Sequence, residues 1–148
     1  AVGMSGYGKS SLDVQLGGTG EITADRLWLL PKPANQRVWS RVIVGEHVYI
    51  VDENGLPRCY ELRTGKNLWD GEDRFGSVTW GSMVHAAGRL YVMLRNGETV
   101  VLAASPKFEV LSVNPLEKVE QTNSSPAVAD GEVFLRTYKH LYCIAAKK

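Results

Sequence analysis

The sequence has no apolar run near the length of about 20 residues that a membrane-spanning helix needs. It also lacks an excess of either charge, because 17 Lys and Arg stand against 16 Asp and Glu, and the formal net charge is +1. Such a balance provides no long-range field that would attract nucleic acid or an anionic membrane. We therefore expect no membrane span and no nucleic-acid partner.

Catalytic and metal-binding motifs are missing as well. The two cysteines and three histidines are dispersed without the spacing of metal ligands. The nucleophile motif G-x-S-x-G does not occur, and no Cys/His constellation replaces it. A carboxylate pair for glycoside hydrolysis stays open, because its spacing is set by the fold. The sequence names no catalytic residue, no metal ligand and no cofactor.

Helical periodicity is absent, and short alternating strands take its place, most clearly between Trp39 and Trp69. Three runs have the pattern of strands and a fourth begins: Val42–Val44, His47–Val51, Arg58–Leu62 and Lys66–Trp69. Asn-Gly and Thr-Gly dipeptides lie between runs, and Gly and Asn tolerate the positive φ that tight hairpin turns require. This stretch therefore predicts antiparallel β-structure with essentially no helix.

The same unit recurs along the chain. Val48–Ile50 is followed 42 residues later by Leu90–Val92 and a further 43 residues later by Val133–Leu135. Trp28 precedes Trp69 by 41 residues. A period of about 40 to 50 residues with four strands per unit is typical of a β-propeller blade. We expect an all-β chain, a partial β-propeller of about three and a half four-stranded antiparallel blades.

Two motifs carry a resemblance to a known repeat family. Thr64–Trp69 matches the blade end T-G-K-x-x-W, and Ser125–Phe134 is similar to the blade start S-P-A-V-x-D-G-x-V-Y. The chain resembles the pyrroloquinoline-quinone-like, or quinoprotein-like, β-propeller repeat over nearly its whole length. Trp80–Val84 and Arg136–Leu141 resemble bacterial exported propellers in particular, which implies a periplasmic, cell-surface or secreted protein.

The resemblance also implies roles for particular residues. Trp28 and Trp69 would be docking residues that pack against the neighbouring blade. The third unit departs from the pattern, because Lys107–Leu111 contains no Trp. Quinone-dependent enzymes of this family use a calcium-held cofactor, a catalytic Asp and, in several members, a pair of adjacent cysteines. This chain has no adjacent cysteines and no Asp in a matching motif, so we expect a non-catalytic protein-interaction or scaffold module.

Two other functions remain open. One is part of a quinone-dependent alcohol or sugar dehydrogenase whose cofactor residues lie on other blades. The second is a carbohydrate-binding propeller that uses Trp39 and Trp80, which precede the innermost strands of their blades and would lie near the mouth of the central channel. The polar neighbours of such a site would be Arg37, Arg41, Ser82 and Asn123. The alternative is that both indole rings fill gaps between blades.

The repeat also predicts the organisation of residues 1–148 as a single propeller segment. Residues 1–29 would form a partial blade, 30–70 and 71–112 two full blades, and 113–148 a partial last blade. The first unit lacks its inner strand and the last unit its outer strand, whereas closed propellers typically have 4–8 blades. We expect the C-terminal part of a longer propeller, or a ring that other subunits complete. The partners would then be the remaining blades, with a further protein partner on the module.

The two cysteines, Cys59 and Cys143, fall on comparable strands of units two apart. Their Cα atoms should lie beyond the disulfide reach of about 7 Å, so we expect two buried free thiols.

Two motifs have simpler interpretations than their letters suggest. Gly3–Ser10 fits the phosphate-binding pattern G-x-x-x-x-G-K-[ST], but the residues that follow alternate like a strand instead of opening a helix. We expect a glycine-rich hairpin turn there. Asp52–Gly55 is similar to the start of a calcium loop, yet Arg63 occupies the twelfth position, where a bidentate acid is needed. We expect an ordinary turn.

Overall fold

A computed structural model describes residues 2–4, 11–14, 17, 19–21, 24, 26–30, 40–69 and 74–146, and only the backbone of 2–4, 11, 12 and 30. This part of the chain contains β-strands and no α-helix. The strands are β1 (Val2–Met4), β2 (Ser11–Val14), β3 (Arg26–Leu30), β4 (Val42–Val44), β5 (His47–Val51), β6 (Pro57–Glu61), β7 (Val84–Ala86), β8 (Arg89–Met93), β9 (Thr99–Ala103), β10 (Val110–Asn114), β11 (Ala127–Ala129), β12 (Glu132–Arg136) and β13 (Leu141–Ile144).

The strands form four antiparallel sheets that follow one another along the chain. The first sheet is β1-β2-β3, the second β4-β5-β6, the third β7-β8-β9-β10 and the fourth β11-β12-β13. The all-β expectation is confirmed. Four strands are seen in the third sheet alone among the described residues. The expected fourth strand of the second sheet is a single bridge between Tyr60 and Asn67.

The strand register repeats from sheet to sheet. Tyr49 lies opposite Cys59 in the second sheet. Tyr91 lies opposite Val101 in the third. Phe134 lies opposite Cys143 in the fourth. The second, third and fourth sheets therefore each place an aromatic side chain of the central strand at the same point of the ladder. The sequence period of 42 or 43 residues is thus a structural period.

The main core lies between the second and third sheets. It joins buried side chains of both sheets: Tyr49, Val51, Cys59, Trp69, Met83, Leu90, Val92, Leu94, Val100 and Leu102. Side chains of β8 and β9 point alternately to this core and to the other face of the sheet, as the period of two residues in a strand requires. The second sheet thus packs face to face on the third, as blades of a propeller do.

The docking role of the blade-end tryptophans is confirmed. Trp28 donates its indole N–H to the carbonyl oxygen of Leu62 in the second sheet's last turn, at 2.6 Å. Trp69 likewise donates to the carbonyl oxygen of Ser105 beyond β9, at 3.2 Å. Gly65 lies directly under the Trp28 ring, where an added Cβ would be 2.8 Å from a ring carbon. Each indole thereby ties its own sheet to the next one.

The two cysteines have different surroundings. Both thiols are free, as expected, and Cys59 is buried in the core. The expectation that Cys143 is also buried is wrong, because its side chain is exposed. Within the described part of the chain, the third sheet covers the face of the second sheet that carries Cys59. No described sheet covers the equivalent face of the fourth sheet.

The two deceptive motifs can be placed in part. Residues 5–10, most of the phosphate-loop pattern, lie outside the described residues, and β1 and β2 on either side pair antiparallel. Residues 11–14 form a strand, so no helix begins after Lys9 as a phosphate loop requires. The turn at Asp52 is confirmed: its Oδ1 accepts the backbone N–H groups of Asn54 and Leu56 at 2.9 and 3.0 Å. That carboxylate caps its own turn.

Candidate functional site

The residues expected near the channel mouth fall into separate surroundings. Arg37 and Trp39 lie outside the described residues. Trp80 is 44% exposed and lines a shallow cavity of about 220 Å³ together with Glu53, Asn54, Val78 and Arg95. Asn123 lines a different cavity, of about 200 Å³, beside Arg136 and Tyr138. Trp80 and Asn123 therefore do not share one pocket.

Arg41 lies beside Tyr60 and is half-buried, and burial lowers the pKa of its guanidinium. Burial also raises the pKa of the Tyr60 phenol, while Arg58 and Arg41 oppose that shift. Tyr60 belongs to a small apolar cluster with Val48 and Ile50 on the face of the second sheet that is turned away from the third. Arg41 lines neither the cavity of Trp80 nor that of Asn123.

Ser82 takes part in a relay of serines that sequence reasoning did not identify. The backbone N–H of Ser40 donates to Ser82 Oγ at 3.3 Å. The backbone N–H of Ser82 donates to Ser125 Oγ at 2.8 Å. Each of these hydrogen bonds joins one sheet to the next just before its first strand. The spacing of the three serines, 42 and 43 residues, was the signal that could have revealed them.

The relay also sets how closely the blades approach each other. A Cβ added to Gly81 would be 2.1 Å from the carbonyl oxygen of Ser124, so only glycine fits there. In the sequence repeat of 42 residues that Ser40 and Ser82 define, Gly81, and not Trp80, corresponds to residue 39. Trp80 is one residue out of the repeat and points to its own shallow cavity.

The fourth sheet carries the most distinctive surface. We define its outer face as the side chains that share the side of Phe134: Glu132, Phe134, Arg136, Leu141 and Cys143. Leu141 is 68% exposed, and Cys143 is exposed as well. The Cys143 thiol donates to Glu132 Oε2 at 3.2 Å, and that carboxylate raises the pKa of the thiol. The apolar side chains of the outer face, Phe134, Leu141 and Cys143, form a patch that no sheet in the described part of the chain covers.

The second sheet has an equivalent pair of residues, Tyr49 and Cys59, which is fully covered. Tyr49 and Cys59 are each 0% exposed, because the third sheet and Trp69 lie over them. Their counterparts Phe134 and Cys143 stand in the same register on the fourth sheet. At this pair the outer face therefore carries the residue types of a blade-packing surface, but Phe134 is only partly buried and Cys143 is exposed.

A polar anchor holds the fourth sheet in place on its opposite side. The buried carboxylate of Glu120 accepts hydrogen bonds from Thr137 Oγ1 and from His140 Nδ1, the latter at 2.7 Å. These bonds, led by that from Thr137, lower the pKa of Glu120 against the opposing effect of burial. The backbone N–H of Tyr138 also donates to the Gln121 carbonyl. The outer face is thus presented by an anchored sheet.

No family model matches this chain, and no curated protein matches it. Solved structures do. BamB from Moraxella catarrhalis superposes with a TM-score of 0.73 at 13% identity over 93% of this chain and 40% of BamB. The computationally designed Ika4 protein superposes with a TM-score of 0.63 at 10% identity over 99% of this chain and 86% of Ika4.

The N-terminal domain of Nup159 is a third similar structure, with a TM-score of 0.56 at 12% identity over 86% of this chain and 34% of that domain. The chain therefore spans less than half the length of BamB and of the Nup159 domain. At these identities the likeness concerns the fold, and it confirms a partial β-propeller. No helix long and apolar enough to cross a membrane occurs in the described ranges.

Proposed function

We propose that this chain is a non-catalytic segment of a quinoprotein-like β-propeller that serves as a protein-interaction or scaffold module. Its partner surface is the outer face of the fourth sheet. The partner there is a further blade, supplied by a longer parent chain or by another subunit. The sequence resemblance to exported propellers supports a periplasmic, cell-surface or secreted location.

One observation carries the proposal, namely the contrast between two equivalent pairs. Tyr49 and Cys59 are covered completely by the next sheet, whereas Cys143 and the patch around Phe134 are exposed. An apolar patch of this kind on a soluble domain marks an interaction site. Burial of the patch under another sheet would recover about 25 cal/mol for each Å² of apolar surface.

The comparisons are consistent with such a role. One of the similar structures is a complex of S. cerevisiae Dbp5 with Nup159, Gle1, IP6 and ADP, one chain of which superposes with a TM-score of 0.52 at 14% identity over 84% of this chain and 32% of that chain. In that complex a propeller-like chain has a protein partner. We extend this mode of action to the present chain as part of the proposal.

The test is the mass of the chain in solution, measured by sedimentation equilibrium from micromolar to millimolar concentration. We expect the mass to rise above the 16.3 kDa of one chain as the outer faces find partners. Phe134→Arg and Cys143→Arg should each suppress this association, because a charge in an apolar interface must be desolvated. Leu111→Arg, at an exposed apolar position of the third sheet, should not. A wild-type mass of 16.3 kDa at every concentration, together with amides of β12 and β13 that are as protected from hydrogen exchange as those of β8 and β9, contradicts the proposal.

A carbohydrate-binding role is the second candidate, and the exposure of Trp80 favours it. Its ring lies beside the polar groups of Glu53, Asn54 and Arg95 in an open cavity. An aromatic face with adjacent hydrogen-bonding groups is suited to stack a sugar ring. Glycan-array binding that Trp80→Ala abolishes and Tyr138→Ala retains would support this role. An array without binding by the wild-type chain would exclude it for the glycans tested.

A further inference from the structure

A third cavity lies between the third and fourth sheets, on the side of the fourth sheet opposite its outer face. Its volume is about 210 Å³. The third sheet contributes one wall and the fourth sheet the other; the residues that matter here are Tyr91, Thr99 and Val101, and Val133, Leu135 and Ile144. We call this space the inter-sheet cavity. Nothing in the proposed function uses it.

The inter-sheet cavity is the counterpart of the space that Trp69 fills one blade earlier. In that earlier interface, Tyr49 and Cys59 form one wall, at the positions that Tyr91 and Val101 occupy in the next sheet. The other wall there consists of Leu90, Val92 and Leu102, the counterparts of Val133, Leu135 and Ile144. The Trp69 ring lies between those walls, with its centroid 5.3 Å from that of Tyr49. Two walls of the same kind thus enclose an indole in one interface and a cavity in the other.

None of the tryptophans that the structure describes lines the inter-sheet cavity. Val110 stands 41 residues after Trp69, at the repeat position of the docking tryptophan, and it is 42% exposed. The expected absence of a docking tryptophan from this unit therefore has a structural consequence. Where Tyr49 has Trp69 beside it, Tyr91 borders an open volume.

A polar atom in the wall points to the kind of group that fits. Thr99 is 4% exposed, and its buried Oγ1 has no hydrogen-bond partner among the described residues. A buried hydroxyl in that state is less favourable than a bonded one. Trp28 and Trp69 both donate their indole N–H across an interface. An indole in the cavity would find its acceptor in Thr99 Oγ1.

We propose that the inter-sheet cavity binds an aromatic side chain of indole size carried by a partner protein, with its N–H donated to Thr99 Oγ1. The ring packs beside Tyr91, as Trp69 packs beside Tyr49, but its N–H is directed to Thr99 and not, as that of Trp69 is, to a backbone carbonyl beyond the last described strand of the next sheet. The site is continuous with the interface between the third and fourth sheets. It is independent of the outer face, because the two lie on opposite sides of β12 and β13.

The test is an NMR titration of the full chain with indole and with N-acetyltryptophanamide, which carries the same ring on a peptide unit. We expect saturable shifts of the Leu135 and Ile144 methyl signals with both probes. Thr99→Val should weaken binding by about tenfold, the equivalent of one buried hydrogen bond. Benzofuran, which has the ring shape without the N–H, should bind the wild type and Thr99→Val equally.

Ile144→Trp should abolish the shifts, because Ile144 lines the cavity and is 48% exposed at its rim. Cys143→Trp is the matched control, since it places the same ring on the opposite face of β13, and should leave binding unchanged. Absence of saturable shifts with indole overturns the proposal, as does equal binding by Thr99→Val. If indole binds and N-acetyltryptophanamide does not, a protein partner is ruled out, because the cavity then accepts only small free ligands.

Discussion

Trp69 donates its indole N–H to the carbonyl oxygen of Ser105, across the junction between the second and third sheets. Trp28 makes the equivalent bond to the second sheet. Successive sheets are therefore joined by the same device, an indole at the end of one blade and a backbone carbonyl in the last turn of the next. Among the described residues the fourth sheet receives no such indole, and this difference underlies the cavity in front of it.

Removal of the Trp69 ring should destabilise the chain strongly. The side chain is 2% exposed and also packs edge-on against Phe108, with ring centroids 5.2 Å apart. We expect Trp69→Ala to lower the free energy of unfolding by about 3–5 kcal/mol in urea denaturation. Trp80→Ala is the control, because Trp80 is 44% exposed and its loss should change that free energy by about 0.5 kcal/mol at most. Equal losses in the two variants would contradict the docking role.

A methyl group under the Trp28 ring should disturb the first junction. Gly65 has a φ of +70°, and an added Cβ would come within 2.8 Å of the Trp28 ring. Gly45→Ala is a matched control, because Gly45 has a φ of +57° with nothing within 4 Å. Both variants carry the backbone strain of about 1 kcal/mol. We expect Gly65→Ala to cost about 1–3 kcal/mol more than Gly45→Ala in thermal or urea unfolding; identical costs would mean that the ring moves aside freely.

The acid side of the stability profile should depend on Glu120. Its hydrogen bonds to Thr137 and His140 lower its pKa in the folded chain below the usual value of 4.5. A lowered carboxyl pKa gives stability that is fully present above the unfolded pKa and is lost as the pH falls through the folded pKa. We therefore expect the stability advantage of the wild type over Glu120→Gln to be largest near neutral pH and to shrink below about pH 4.5.

Urea denaturation at a series of pH values measures this difference. Glu109→Gln, which alters an exposed carboxylate, serves as the control and should leave the profile of the wild type unchanged. A constant gap between wild type and Glu120→Gln from neutral to acid pH would show that the carboxylate acts only through its shape.

The two thiols should react at very different rates. Burial raises the pKa of Cys59 to about 11. Cys143 is exposed, and its hydrogen bond to the Glu132 carboxylate raises its pKa. In the native chain we expect a disulfide reagent to modify Cys143 alone, with Cys59 reacting upon unfolding. Glu132→Gln should accelerate the Cys143 reaction, by about tenfold for each unit by which its pKa falls. Asp130→Asn, on the neighbouring turn, should leave the rate unchanged; a similar acceleration there would point to general charge and not to the hydrogen bond.

Much of the fold can be predicted from the sequence, because a repeat imposes the same contacts at a fixed interval. The recurrence of Val48–Ile50 and the spacing of Trp28 and Trp69 led to the sheets and their junctions. Ser40, Ser82 and Ser125 are equally periodic. Serine is a common residue type, however, so the repeat does not stand out until the hydrogen bonds are known.

The surroundings of single residues could not be read in the same way. Whether Cys143 is buried or exposed depends on whether another sheet lies over it. The alternating pattern of a strand does not contain that information. The Glu120–His140 pair joins residues 20 apart with no periodic relation. The sequence shows that Val110 stands where the repeat has a tryptophan. The volume beside Tyr91 and the unpaired Thr99 hydroxyl are apparent only in the structure.

The central claim is that the fourth sheet is a blade whose outer face needs a cover. Amide hydrogen exchange of the chain, measured at a concentration where it is monomeric and again where it associates, tests this most directly. We expect slow exchange in β8 and β9 throughout, and exchange in β12 and β13 that is faster in the monomer and slows on association. Amides of β12 and β13 that are as protected as those of β8 and β9 in the monomer would contradict it.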